Sequence, residues 1–185
     1  MMRKSLLLAG ALIFATSPAM AKEWTVDYAN SHLGFIGTQG TSSFNGEFKK
    51  FTSAIDLDPE KSDGGHITAN IDMTSASAGS SERDGYLPQT DWFDTKQFPQ
   101  AQFASTTIRK TGDHTFIADG NLTIKGISKP ISLPFTLVQD GDHWRAQGKV
   151  TILRQDFHVG LGQWANEQYV KYNVDVTVDI AAKPQ

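Results

Sequence analysis

Apolar and polar side chains alternate along most of this chain with a period of two. The clearest run is the last, where Val170, Tyr172, Val174, Val176, Val178 and Ile180 fall on one side and Lys171, Asn173, Asp175, Thr177 and Asp179 on the other. That pattern marks a strand with one apolar and one wet face, as in an antiparallel sheet. Phe116, Ala118, Gly120, Leu122 and Ile124 form another such face, and Ile131, Leu133, Phe135 and Leu137 a third. Such runs predict about eight strands: Trp24 to Ile36, Gly46 to Leu57, His66 to Thr74, Ala101 to Lys110, His114 to Lys125, Pro130 to Gln139, His143 to Phe157 and Tyr169 to Ala181. Turn chemistry separates most of them, at Asp58–Pro59, Asp63–Gly64–Gly65, Thr111–Gly112–Asp113, Lys125–Gly126 and Asp140–Gly141–Asp142.

Long antiparallel strands joined by tight turns make either a sandwich or a closed up-and-down barrel. Several runs exceed ten residues, which favours the barrel, since closure removes exposed edges and eight strands leave room for one small ligand. The small inward residues Ala118, Gly120, Ala146 and Gly148 fit such a cavity, and fit a filled, tapering core equally.

One stretch refuses to alternate. Ser80 to Pro99 combines a capping start, Ser81 with Asp84 three residues on, with Tyr86, Leu87, Trp92, Phe93 and Phe98 and a closing proline. It predicts one or two short helices laid against the all-β body, because an apolar cluster on a connection must bury itself somewhere.

Composition adds an address and an exclusion. Met1 to Ala21 has a basic start (Arg3, Lys4), an apolar run from Leu6 to Ala15, and Ala19–Met20–Ala21. This predicts a cleaved signal peptide, 1–21, and a periplasmic or secreted protein beginning at Lys22. Without Arg3 and Lys4, 15 of the 17 basic residues face 20 acidic ones, a formal charge near −5, which argues against nucleic acid as a partner. Residues 22–185 suit a single domain with a substantial core, and the chain has no cysteine to staple it.

The familiar enzyme signatures are missing: there is no G-x-S-x-G, H-E-x-x-H, G-x-G-x-x-G or P-loop. The five histidines (His32, His66, His114, His143, His158) are scattered rather than at metal-ligand spacing. Neither a catalytic residue, a metal nor a cofactor is therefore assigned. Arg154 with Asp156 reads as a structural ion pair or as the group that orders a loop at the barrel mouth. Glu82, Arg83 and Asp84 read as helix-start charges.

Several motifs in order resemble the YceI-like family over essentially the whole mature length. They are Trp24-x-x-Asp27 with Ser31-x-Leu33-x-Phe35; Gly46-x-Phe48-x-x-Phe51; Glu82–Arg83–Asp84-x-x-Leu87 with Asp91–Trp92–Phe93–Asp94 and Phe98–Pro99-x-Ala101-x-Phe103; Gly120 to Pro130 (GNLTIKGISKP); and Arg154-x-Asp156–Phe157. The sequence departs from the family pattern at Asn30, at Thr38–Gln39 and at His158, where a glycine is common. The resemblance implies a lipocalin-like, eight-stranded antiparallel barrel and a periplasmic lipid-binding or isoprenoid-binding protein. The ligand would be a polyprenyl, an isoprenoid quinone or another long-chain lipid.

Joined to the strand pattern, it implies a pocket lined by Phe35, Phe48, Ile71, Phe103, Leu122, Phe135, Val150 and Val174, with Trp92 and Phe93 at its entrance. It also implies a membrane b561-type cytochrome as a partner. The alternative is a ligand-free docking module using loops 37–45 and 160–168. A hydrolase built on Asp84 or Asp91 is the third reading. The oligomeric state, a dimer included, stays open.

Overall fold

The structure, a computed structural model, describes residues 22–185, with 61–64 described by their backbone alone. The expected leader at 1–21 lies outside the described residues. Eleven strands form one curled antiparallel sheet: β1 (Trp24–Val26), β2 (His32–Gln39), β3 (Ser42–Phe48), β4 (Phe51–Asp58), β5 (Lys61–Asp72), β6 (Ala76–Ser77), β7 (Gln100–Lys110), β8 (Thr115–Ile124), β9 (Ile127–Asp140), β10 (His143–Leu153) and β11 (Asn173–Pro184). The all-β expectation stands, with eleven strands in place of eight.

The extra strands have local causes. The first expected run breaks because the Asp27 side chain accepts from the N–H groups of Ala29 and Asn30, folding Tyr28–Asn30 into a 3₁₀ turn between β1 and β2. The second breaks at Lys49–Lys50, where the chain leaves one edge of the sheet for the other: β3 pairs with β2 and β6, and β4 with β5. β6 adds two residues on β3. Asp63–Gly64–Gly65 is no turn. It lies within β5, and the reversal is made at Pro59–Glu60. The segment 37–45, expected as a loop, is the β2–β3 hairpin around Gly40 and Thr41.

The ladder runs β4–β5–β7–β8–β9–β10–β11–β2–β3–β6, with β1 on β11. β1 also reaches β4, through a Glu23–Asp56 bridge and the Leu57 N–H bonded to the Lys22 carbonyl at 3.1 Å. One end of the curl is thereby shut. Trp24 and Trp144 meet edge to face there at 5.9 Å, over Val26, Ile180 and Ala182. Trp24 donates its indole N–H to the Leu57 carbonyl at 2.8 Å, so the plug leaves that donor satisfied.

At the other end sit helix α1 (Ser81–Tyr86) and the turns after it. The cap is Ser80, not Ser81: its hydroxyl accepts from the Arg83 N–H at 3.3 Å. Asp84 instead reaches back to the Ala78 N–H and the Ser77 hydroxyl, tying the helix to β6.

Candidate functional site

The two faces of the sheet differ in a way that reveals its interior. On β8 the inward residues Phe116 and Ala118 are fully packed, and Gly120 is there for close approach, since a Cβ would strike Ala104 and Ser105 of β7. Ala118 and Gly120 thus serve tight packing rather than leaving room. On β9 to β11 the inward residues Leu133, Ala146, Gly148, Val150, Ile152, Val174, Val176 and Val178 are only half-buried. Inward yet accessible, they face a cavity of about 260 Å³. The outward faces of the same strands carry an ion ladder: Lys149 and Thr151 hold Asp175, and Arg145 and Gln147 hold Asp179. Hydrogen bonds from Thr151 and then Lys149 keep the Asp175 carboxyl below its ordinary range.

All ten residues assigned to the pocket from sequence lie on this cavity wall: Phe35, Phe48, Ile71, Phe103, Leu122, Phe135, Val150 and Val174 from eight different strands, and Trp92 and Phe93 from the segment after α1. Phe93 is buried against Phe48, which in turn meets Phe35 at 5.3 Å between ring centroids. Phe44 also lines the wall, beneath the Arg83 guanidinium at 4.7 Å. The signal that marks it in the sequence is Phe44-x-Gly46-x-Phe48 just past Gly40, which carries the period of two.

Gln39, Glu82 and Arg83, polar and at least partly exposed, line the cavity beside α1, so the interior meets solvent there. The rim is aromatic: Trp164 is a hub touching Tyr86 at 5.2 Å, Trp92 at 5.6 Å and Tyr169 at 6.0 Å.

Arg154 builds this end. It follows β10 in a 3₁₀ turn, is 3% exposed, and gives its guanidinium entirely to backbone. Nη1 donates to the carbonyls of Val159 and Gly160, Nη2 to those of Trp164, Asn166 and Val170, and Nε to that of Lys171. Among the described residues it makes no ion pair, so its role is the loop-ordering one rather than a bridge to Asp156. Burial holds this guanidinium below its ordinary pKa. Lys125 adds a second pin, from its ammonium to the carbonyls of Thr90 and His158, and burial lowers its pKa too. The N–H groups of Gly160 and Leu161 both reach the Asp91 carbonyl.

The YceI-like domain family matches residues 24–182. This chain belongs to that family. Within it, the YceI-like chain is 32% identical over 181 residues to a UPF0312 protein of Photorhabdus laumondii, covering 90% of this chain and 93% of that one. It is 31% identical to Protein YceI of Salmonella arizonae, covering 95% and 97%. Among solved structures, BcnA of Burkholderia cenocepacia superposes with a TM-score of 0.82 at 32% identity, over 85% of this chain and 99% of that chain. A polyisoprenoid binding domain from Saccharophagus degradans shares the fold with a TM-score of 0.71 at 16% identity, over 90% and 99%.

The carboxylates considered for hydrolysis stay off the wall of this YceI-like cavity. Asp84 is spent on Ser77 and Ala78, and Asp91 is exposed beside Gly162. His158 occupies the left-handed region at φ 53°, a backbone conformation that favours glycine.

Proposed function

We propose that this protein binds a long apolar ligand, a polyprenyl, isoprenoid quinone or other lipid, inside the cavity. We place it in the periplasm, as one domain of residues 22–185 after loss of residues 1–21. The observation that carries this reading is the ring of inward yet half-exposed aliphatic side chains on β9 to β11, which have no purpose in a filled core. Family membership supports it, as does the polyisoprenoid binding named for the Saccharophagus degradans neighbour.

Energetics need no strong polar anchor. Each buried methylene contributes about 0.8 kcal/mol, so roughly ten supply on the order of 8 kcal/mol before ordering costs. The family and its polyisoprenoid-binding neighbour fit a binding protein rather than an enzyme, and with Asp84 and Asp91 off the wall we assign no catalytic role.

Native mass spectrometry and organic extraction of protein purified from its own host test the proposal. A co-purifying chain lipid is the expected result. Protein that is reproducibly empty, and that takes up no prenyl chain offered in detergent, overturns it. Val150→Phe separates a cavity from solid core: its ring enters open space, leaving stability unchanged while cutting ligand affinity at least about ten-fold. In a solid core the same change costs about 1–3 kcal/mol by overpacking.

A further inference from the structure

Among the described residues, two cations lie on the cavity wall, Arg83 and Arg154, and the fold uses them differently. Arg154 is buried and gives its guanidinium entirely to backbone carbonyls. Arg83 is only half-buried and little of it is spent: Nε donates to the Ala78 carbonyl at 2.8 Å, and Nη1 stands 3.5 Å from the Gln39 side-chain oxygen. A guanidinium has five N–H donors, so most of them are left for another molecule. No carboxylate pairs with Arg83 among the described residues. Asp84, next along the chain, is bonded to Ser77 and Ala78 instead. The Ala78 bond and the Phe44 ring at 4.7 Å hold the guanidinium plane at the open end of the cavity.

We propose that Arg83 seats an acidic head, a carboxylate or a phosphate, on a chain ligand whose apolar part fills the cavity. The inference rests on the lipid-binding reading above and adds the charge of the ligand's head and its direction, head at the open end. Both kinds of head present paired oxygens that the guanidinium fork matches. A ligand that fills the cavity takes water away from Arg83. A neutral head would leave that charge without a counterion, whereas an anion replaces the lost hydration. Glu82, the one carboxylate on the wall among the described residues, is exposed, so solvent screens its repulsion of an anion more than it screens the half-buried Arg83. The chain still supplies most of the affinity, and Arg83 selects among heads.

Four probes on one isoprenoid chain test this by calorimetry on the purified protein stripped of lipid: farnesoic acid, farnesyl phosphate, farnesol and farnesylamine. At least one anion should bind about ten-fold tighter than farnesol, the worth of a charge-assisted hydrogen bond at a partly exposed site. The tighter of the two anions tells a carboxylate head from a phosphate. Arg83→Gln should remove that preference, bringing the anions within about two-fold of farnesol while changing farnesol binding less than about two-fold. Arg83→Lys, which keeps the charge but not the fork, should keep part of it.

Binding of both anions no tighter than farnesol overturns the inference and leaves the lipid-binding reading intact. An equal loss for anions and farnesol in Arg83→Gln makes the residue structural and overturns it, as does an anion preference that survives the substitution. Tightest binding of farnesylamine, lost in Glu82→Gln, overturns it in favour of a cationic head. Failure of all four probes to bind overturns both readings. Should Arg83→Gln fail to fold, a crystal structure of the parent with the tighter anion decides. Head oxygens about 2.7–2.9 Å from the Arg83 Nη atoms support the inference, and a head seated elsewhere overturns it.

Discussion

The shut end and the open end of the barrel are held together by different chemistry. At the shut end, strands do the work: β1 spans from β11 to β4, the Trp24–Trp144 pair fills the space, and the positive-φ turn beside them, at 141, is a glycine. At the open end irregular backbone does it, pinned from within by Arg154 and Lys125. All three non-glycine residues with positive φ among the described residues, Asp94, Lys125 and His158, are in these mouth segments. Strained backbone survives only where its surroundings over-determine it, and it concentrates where binding or gating occurs. The contrast teaches that the mouth gives up local backbone comfort to hold a shape, whereas the plug is relaxed structure.

Breaking the mouth should have the largest effect. Arg154→Ala leaves buried carbonyls from Val159 to Lys171 without their donor, and is expected to cost about 3–5 kcal/mol. Urea unfolding should show a lower midpoint. Arg154→Lys should recover only part of the loss, because an ammonium has three donors against the guanidinium's five. Gly160→Ala attacks the same cage from the other side, since its methyl would fall on Arg154 Nη1. If Arg154→Ala unfolds at the parent's midpoint, the cage is ornamental and the contrast between the ends collapses.

At the shut end, Trp24→Phe keeps most of the apolar plug but removes the bond to the Leu57 carbonyl, so about 1–2 kcal/mol should be lost. Bound ligand measured by mass spectrometry should be unchanged. Parallel loss of ligand would mean that the two ends are one unit.

Acid should separate the ends again. Carboxyls at and near the shut end sit below their ordinary range: Asp142 through its bond from Lys183, and Asp27 through Asn30. Asp179 is lowered as well; burial opposes the shift, but hydrogen bonds from Arg145 and Gln147 prevail. Groups lowered in the folded state stabilise above their unfolded pKa, near 3.9, and that contribution is lost as pH falls through the folded values. The Arg154 guanidinium bonds main-chain carbonyls, which do not titrate, and the carboxylate of its loop, Glu167, accepts the Tyr172 N–H at 3.0 Å. Hydrogen exchange normalised for intrinsic pH effects should therefore loosen β1, β10 and β11 before residues 158–170 on acidification below about pH 4. The opposite order would place the acid-labile structure at the mouth.

Period-two patterning made the sheet and the cavity wall legible, because one face of each strand meets the interior and the other meets water. Phe35, Val150 and Val174 could be chosen for that reason alone. The breaks at Asp27 and Lys49–Lys50 stayed hidden: one depends on a side chain bonding its own backbone, the other on which sheet edge the chain joins next. Asp63–Gly64–Gly65 misled because the chain reverses just before it, at Pro59–Glu60, and its turn-type residues continue in strand conformation within β5. The Arg154 cage was beyond reach for a simpler reason. Its partners are main-chain carbonyls, which every residue has and no sequence labels.

The smallest effect tests the strain itself. His158 lies at φ 53° and ψ 38°, and its side chain is exposed, so little beyond the backbone conformation depends on its identity. A Cβ in that region costs about 1–2 kcal/mol, whereas glycine adds roughly 0.5–1 kcal/mol of unfolded-state freedom. His158→Gly should therefore gain about 0.5 kcal/mol, raising the melting temperature by roughly 1–2 °C for a chain of this size. The Lys125 pin should survive, because it is the backbone carbonyl of residue 158 that accepts it. Lower stability in His158→Gly would mean that the histidine ring, not the backbone, holds the turn, and that the mouth carries less strain than its dihedrals state.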